Sequence, residues 1–235
     1  MYSILEHYLS TNHILMIGMI VTFILTFFLL EHPFSFLPSD QGRAFAVNGS
    51  LSKGKLRGVG FIFVLCFLIS SVLFLPIDVE YVIYAILLFA MMISGYLDDA
   101  SKTPWNEYKK GLIDLVISVV AVLTYMNFNS TTICFGADEI VIPKALFLIL
   151  GVILIWVSVN VTNCTDGVDG LCASLCSVTL LAFGVLFASV LQKYAMANFL
   201  FLSVLFAYLY FTSSPSSMLM GDAGSRALGF YIAVI

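Results

Sequence analysis

Charge is what this chain has least of. Only 10% of its 235 residues are Asp, Glu, Lys or Arg, and 61% are hydrophobic. A soluble domain carries about 25% charged residues, so an ordinary water-soluble globule is excluded. Histidine is scarcer still. The three histidines (His7, His13, His32) lie near the N-terminus, far from the five cysteines, so no zinc-ligand spacing exists. Cys66, Cys172 and Cys176 fall in apolar runs and Cys164 in a polar motif, which leaves Cys134 alone in a candidate external loop and argues against a disulfide framework. No GxxxxGK[ST] sequence is present, which disfavours a P-loop nucleotidase. The first apolar run has no basic flank before it and no small-residue cleavage site after it, so a cleavable signal peptide is not expected.

What fills the chain instead is a series of long apolar runs, at residues 13–30, 58–75, 81–96, 111–128, 143–159, 171–191 and 196–211, with an eighth beginning near Arg226. Runs of about 16–21 residues suit a bilayer crossing. The expected fold is an all-α polytopic membrane protein, with seven transmembrane helices and the start of an eighth in a single domain over 1–235. Pro33, Pro38, Gly42, Gly49 and Gly54 break up the polar segment 31–57. TTICF and EIVI, around Gly136-Ala137-Asp138, suggest a small hairpin, and Pro143 suits the first turn of the following helix.

The basic residues give an orientation. With the N-terminus external, the loops after runs one, three, five and seven hold eight of the ten Lys and Arg: Arg43, Lys53, Lys55, Arg57, Lys102, Lys109, Lys110 and Arg226. Lys144 and Lys193 remain outside. By the positive-inside rule those four loops are cytoplasmic. Run eight has ten residues after Ser225, about half the hydrocarbon thickness, so a longer chain is expected.

Three polar clusters then share the cytoplasmic side: GYLDDASK (95–102), NVTNCTDGVDGL (160–171) and MGDAGS (220–225). Hydrocarbon could not tolerate them, since each unpaired polar group there costs several kcal/mol. Asp98 and Asp99 end a helix and would point about 100° apart. A solvated pair is the bland alternative, but acids at a helix C-terminus oppose its dipole. Asn160 and Asn163, and Asp166 and Asp169, are three apart and share a face if helical. Asp169 could serve as the cap of run six, and Ser225 as that of run eight. Asp222 stands between Gly221 and Gly224. Carboxylates beside lysines, with no His/Cys cluster, suit Mg²⁺ better than zinc and suggest phosphoryl transfer.

At these residues the chain resembles the polyprenyl-phosphate N-acetylhexosamine-1-phosphate transferase superfamily (glycosyltransferase family 4). The carrying segments are GYLDDASK, NVTNCTDGVDGL and MLMGDAGSRALG, in order and in matching positions between helices. Within it the chain is most similar to the phospho-N-acetylmuramoyl-pentapeptide transferases. That resemblance implies a ten-helix bacterial enzyme of the cytoplasmic membrane with its active site on the cytoplasmic face. The implied reaction is Mg²⁺-dependent transfer of phospho-N-acetylmuramoyl-pentapeptide from a UDP donor to undecaprenyl phosphate, giving lipid I and UMP in peptidoglycan biosynthesis. It implies Asp98, Asp99 and Asp222 as catalytic residues and Asn160, Asn163, Asp166, Asp169 and Lys102 as substrate-binding residues. Asp222 and Asp166 are the implied metal ligands. The partners are then the UDP-sugar, the lipid phosphate, the bilayer and a homodimeric second copy, with no nucleic acid. Relatives that transfer N-acetylglucosamine-1-phosphate share all three motifs and are the alternative.

Two departures stand out. A threonine-proline-threonine-methionine-glycine-glycine run of the family is here GKLRGVG (54–60), and an aromatic that stacks on uracil is here Leu219. An ion-coupled transporter is the competing class, but transporters place their acids near the midplane rather than at one face. A scaffold without activity is the third reading, which the retained acids oppose.

Overall fold

The computed structural model describes residues 1–32, 34–40, 42, 52–103, 105–135 and 138–235. Its helices are α1 (Tyr2–Leu5), α2 (Thr11–Glu31), α3 (Gly60–Phe74), α4 (Val79–Asp99), α5 (Glu107–Phe128), α6 (Lys144–Thr165), α7 (Leu171–Phe187), α8 (Gln192–Thr212) and α9 (Gly221–Val234). Between α5 and α6 the expected hairpin forms from β1 (Thr132–Phe135) and β2 (Asp138–Val141), antiparallel, with Thr132 opposite Val141 and Phe135 opposite Asp138. The expected turn at 136–137 lies outside the described residues, as do Pro33, Arg43 and Gly49.

A polytopic all-helical membrane architecture follows from these lengths. Helices α2, α4, α5, α6 and α8 have 21 or 22 residues and are apolar enough to cross a bilayer. Helices α3 and α7 are shorter, at 15 and 17 residues. That is about 22–26 Å of rise against a hydrocarbon core of about 30 Å.

Several boundaries differ from the sequence expectation. Helix α6 continues to Thr165, because nothing breaks it before Asp166-Gly167, so Asn160 and Asn163 are helical. Pro143 is the residue before α6 rather than within its first turn. Helix α7 is preceded by Gly170 at φ 73°, a left-handed geometry, so Asp169 is not its cap. Helix α9 begins at Gly221, five residues earlier than expected; Ser225 is inside it, donating to the Gly221 carbonyl at 3.0 Å. Arg226 is therefore no loop residue. It is 2% exposed and pairs with Asp114 of α5. Without it, seven Lys and Arg still stand against two in the orientation count.

Helix α9 is the centre of the bundle. Its residues Gly221 to Tyr231 are all buried, and it packs chiefly on α4 and α6, with α3 alongside. Helix α8 forms a second centre against α7 and α2. Phe67 of α3 stacks on Phe201 of α8 at 4.2 Å, with Tyr231 of α9 edge-on to both. In lipid, helices gain little from leaving an apolar solvent, so close packing and small residues hold them together. Gly95 of α4 shows the principle: a Cβ there would collide with the backbone of Asp222 and Ala223. That close approach sets the end of α4 against the start of α9.

Candidate active site

The first and third polar clusters meet where α4 ends and α9 begins. A third segment, which sequence reasoning left unassigned, completes the meeting. Residues 55–60 run between 38–40 and 218–220. Asp40 N–H donates to the Lys55 carbonyl and Arg57 N–H to the Pro38 carbonyl, both at 2.8 Å. On the other side Leu219 N–H donates to the Leu56 carbonyl at 2.8 Å and Gly60 N–H to the Met220 carbonyl at 3.0 Å. These bonds deliver Arg57 into the acids.

Arg57 touches three carboxylates. Its Nε donates to Asp99 Oδ1 at 2.8 Å, and its two terminal nitrogens reach Asp40 Oδ1 and Asp222 Oδ1, each at 3.4 Å. Burial alone would lower the guanidinium pKa, but Asp99, Asp222 and Asp40 outweigh it and hold it above the usual arginine value. Lys110, in the first turns of α5, bridges the other two contacts. Its Nζ lies 2.6 Å from Asp98 Oδ2 and 3.1 Å from Asp222 Oδ2. Asp222 is thus the shared acid between two cations.

The adjacent acids have different surroundings. Asp98 Oδ1 accepts from Trp105 N–H at 2.7 Å, which ties it to the loop and to Lys110. Asp99 Oδ2 accepts from Ala223 N–H at 3.0 Å, at the amino end of α9, where the helix dipole favours an anion. Gly221 is required here twice over. Its φ is 68°, and a Cβ on it would overlap Asp99 Oδ2.

Asp40, Asp98, Asp99 and Asp222 carry a formal charge of −4 and Arg57 with Lys110 +2, leaving −2 in a largely buried group. The side chains of Asp99, Asp40, Asp98 and Asp222 are 0%, 1%, 4% and 11% exposed. Those of Lys110 and Arg57 are 19% and 31% exposed, so the cations line the side open to water. Among the described residues no three His, Cys, Asp or Glu side chains form a cage for a metal ion. Mg²⁺ needs no such cage, because it keeps several waters and takes one or two carboxylates with substrate phosphates. A hard-oxygen donor set short of two positive charges fits it.

The central motif lies beside this group. Asn163 Nδ2 donates to Ser225 Oγ at 2.9 Å, joining α6 to α9 within one turn of Asp222. Asn160 instead donates to the Trp156 carbonyl of its own helix at 2.7 Å and is exposed. Asp166 ends α6, its N–H donating to the Asn163 carbonyl at 3.1 Å. Asp169 accepts from Ser216 through its N–H at 3.1 Å and its Oγ at 2.8 Å, and Lys55 Nζ donates to the same Oγ at 2.9 Å. It therefore holds the segment leading into α9.

Lys102 is the residue that does not join. It is exposed in the loop after α4, and among the described residues no hydrogen bond or ion pair links it to the acids. Lys110 and Arg57 stand in its place. Sequence reasoning counted both only as orientation charges and missed Asp40. The available signals were the glycine-flanked KLRGVG and the basic pair opening α5. Leu219 is 6% exposed and its backbone is bonded to residues 56 and 59.

A family model described as Glycosyl transferase family 4 matches residues 81–235. Curated relatives named phospho-N-acetylmuramoyl-pentapeptide-transferase include one from Treponema pallidum subsp. pallidum, 34% identical over 93% of this chain. Others are from Dictyoglomus turgidum, 26% identical over 94% of the chain, and Halalkalibacterium halodurans, 29% identical over 95%. The chain spans 66% of the length of the Treponema relative, and 73% and 74% of the other two.

Proposed function

This chain belongs to glycosyl transferase family 4, and we propose that it transfers phospho-N-acetylmuramoyl-pentapeptide from a UDP donor to undecaprenyl phosphate. The carrying observation is the convergence of Asp98, Asp99 and Asp222 on Arg57 and Lys110 at one end of the bundle. In this reading α3 and α7 also span the membrane, giving seven crossings before α9. The acid-bearing end faces the bacterial cytoplasm, where a UDP-sugar is available, as the basic loops indicate.

The acceptor phosphate oxygen attacks the sugar-bearing phosphorus of the donor diphosphate. A new P–O bond forms, and the bond to UMP breaks. Both partners are anions, so charge repulsion is the main obstacle. Arg57 and Lys110, the cations nearest water, meet the diphosphate and hold it in line. Asp98, joined to Lys110, accepts the last proton of the acceptor phosphate. Asp99 holds Arg57 and the start of α9 in position. Asp222 would hold Mg²⁺, with Asp98 beside it through the shared Lys110 and Asp166 as the other candidate ligand. Bound there, the ion would neutralise charge on the phosphates.

The test uses the full-length protein with undecaprenyl phosphate and either UDP-N-acetylmuramoyl-pentapeptide or UDP-N-acetylglucosamine. UMP release and a lipid-linked product are expected with the first donor. Release with the second donor alone reassigns the sugar, and release with neither refutes the proposal.

A further inference from the structure

One ionic pair takes no part in the chemistry above. Arg226 and Asp114 are each 2% exposed and are bound to one another between α9 and α5. Arg226 Nη1 has no hydrogen-bond partner. Burying such a pair is costly, and removing one member leaves an uncompensated buried charge. Apolar side chains would hold two helices together at less cost, so stability alone is a weak reason for the pair.

Its position supplies a better one. Arg226 lies four residues after Asp222 on α9, and Asp114 four after Lys110 on α5, so each pair shares a helix face. The four charges alternate: Lys110 faces Asp222, and Asp114 faces Arg226. The fields of both Lys110 and Asp222 reach Asp114. Such an arrangement has two pairings, across the helices as observed or along each helix. In the second, Arg226 would take Asp222.

The cations competing for Asp222 differ in what else they can reach. Lys110 and Arg57 are 19% and 31% exposed and can turn to water or to phosphate. The Arg226 side chain is 3% exposed and has no water to turn to. A guanidinium in that position, once on Asp222, would stay there and compete with any metal ion. We propose that Asp114 is a positioning residue that holds Arg226 away from Asp222 and so keeps that carboxylate open to a divalent cation. This rests on the metal role given to Asp222 above.

The test is Mn²⁺ binding to the full-length protein in detergent, followed by electron paramagnetic resonance and without substrates. Asp114→Asn should weaken Mn²⁺ by about tenfold or more. Arg226→Gln removes the competitor and should bind Mn²⁺ as wild type does, or more tightly. The double variant Asp114→Asn/Arg226→Gln should return to within about threefold of wild type. A pair that merely stabilised packing would weaken binding in both single variants, or in neither, and either pattern overturns the inference. If the unpaired guanidinium prevents Asp114→Asn from folding, Arg226→Gln decides: weakened Mn²⁺ binding there overturns the inference as well. Absence of Mn²⁺ binding in the wild type instead refutes the metal role of Asp222 and the inference with it. Transfer activity in that same protein would show that the enzymatic reading survives.

Discussion

The two ends of the bundle use the same side chains to different effect. At one end, Asp98, Asp99 and Asp222 share Arg57 and Lys110, with every carboxylate nearly buried. At the other, Asp78 caps α4 and pairs with Lys193 of α8, and the Asp78 side chain is 54% exposed. Nearby, Glu80 accepts from Asn129 at 2.7 Å and Tyr84 at 3.2 Å. At the far end the one acid in an ion pair, Asp78, meets its base in contact with water, which contributes little. The acid-rich end takes more negative charge than its bases neutralise and hides it from water. Fold stability does not explain that excess; the proposed recruitment of a cation and phosphates would.

The largest effect should come from the shared acid. Asp222→Asn in the full-length protein is expected to lower turnover by about a thousandfold or more, since it removes a shared charge and, in the proposed reading, the metal ligand. Assays across Mg²⁺ concentrations provide the measurement. Wild-type turnover at low Mg²⁺ would make this end no different from the far one.

Asp98 and Asp99 should separate next. Asp98→Asn is expected to cut turnover about 10²–10⁴-fold with donor binding little changed, the size of a lost general base. Asp99→Asn should be milder in turnover and should weaken donor binding, because its partners are Arg57 and the start of α9. Equal losses in turnover and donor affinity for both variants would remove the distinction drawn from their partners.

Arg57 sharpens the comparison further. Arg57→Gln should raise the donor KM by about ten- to a hundredfold, in line with a charge-assisted hydrogen bond of about 1.5–3 kcal/mol. Arg57→Lys should recover only part of it, since an ammonium cannot bridge three carboxylates as a guanidinium does. An unchanged KM for Arg57→Gln would limit this residue to holding the acids together.

How much was legible beforehand depended on range. Hydropathy located α2 to α9, and the alternation in TTICF and EIVI located the hairpin, because those signals are local. The grouping of Asp98, Asp99 and Asp222 at one end followed from counting crossings. Arg57 and Lys110 were visible only as loop charges, because the bonds that place Arg57 join residues 38–40 and 218–220, far apart in sequence. Arg226 was misread for a related reason. A charge next to a glycine-rich turn looks like a loop residue until Asp114, 112 positions away, is found against it. Lys102 was carried over by motif, whereas the fold brings Lys110 to the acids.

The smallest expected effect belongs to the far end and has a defined pH dependence. Burial would raise the Asp78 carboxyl pKa, but the Lys193 hydrogen bond and charge and the Tyr81 N–H outweigh it and hold it below the usual Asp value. A pKa lowered by folding contributes stability that is present above the unfolded value of about 3.9 and is lost as pH falls through the folded one. At this exposure, solvent screening keeps that contribution under about 1 kcal/mol. Asn caps a helix about as well as Asp does. Asp78→Asn therefore keeps the bond from Tyr81 N–H and removes only the charge. It should lower the melting temperature slightly at pH 7, and the difference should shrink as the pH falls below about 4 and vanish once it is below the folded pKa. Asp78→Ala removes the cap as well, at a further cost of about 1 kcal/mol at either pH. Thermal unfolding of the three proteins at pH 7 and at low pH measures both. A large loss for Asp78→Asn at pH 7 would mean that this exposed pair is as important as the buried group, and the contrast between the two ends would fail.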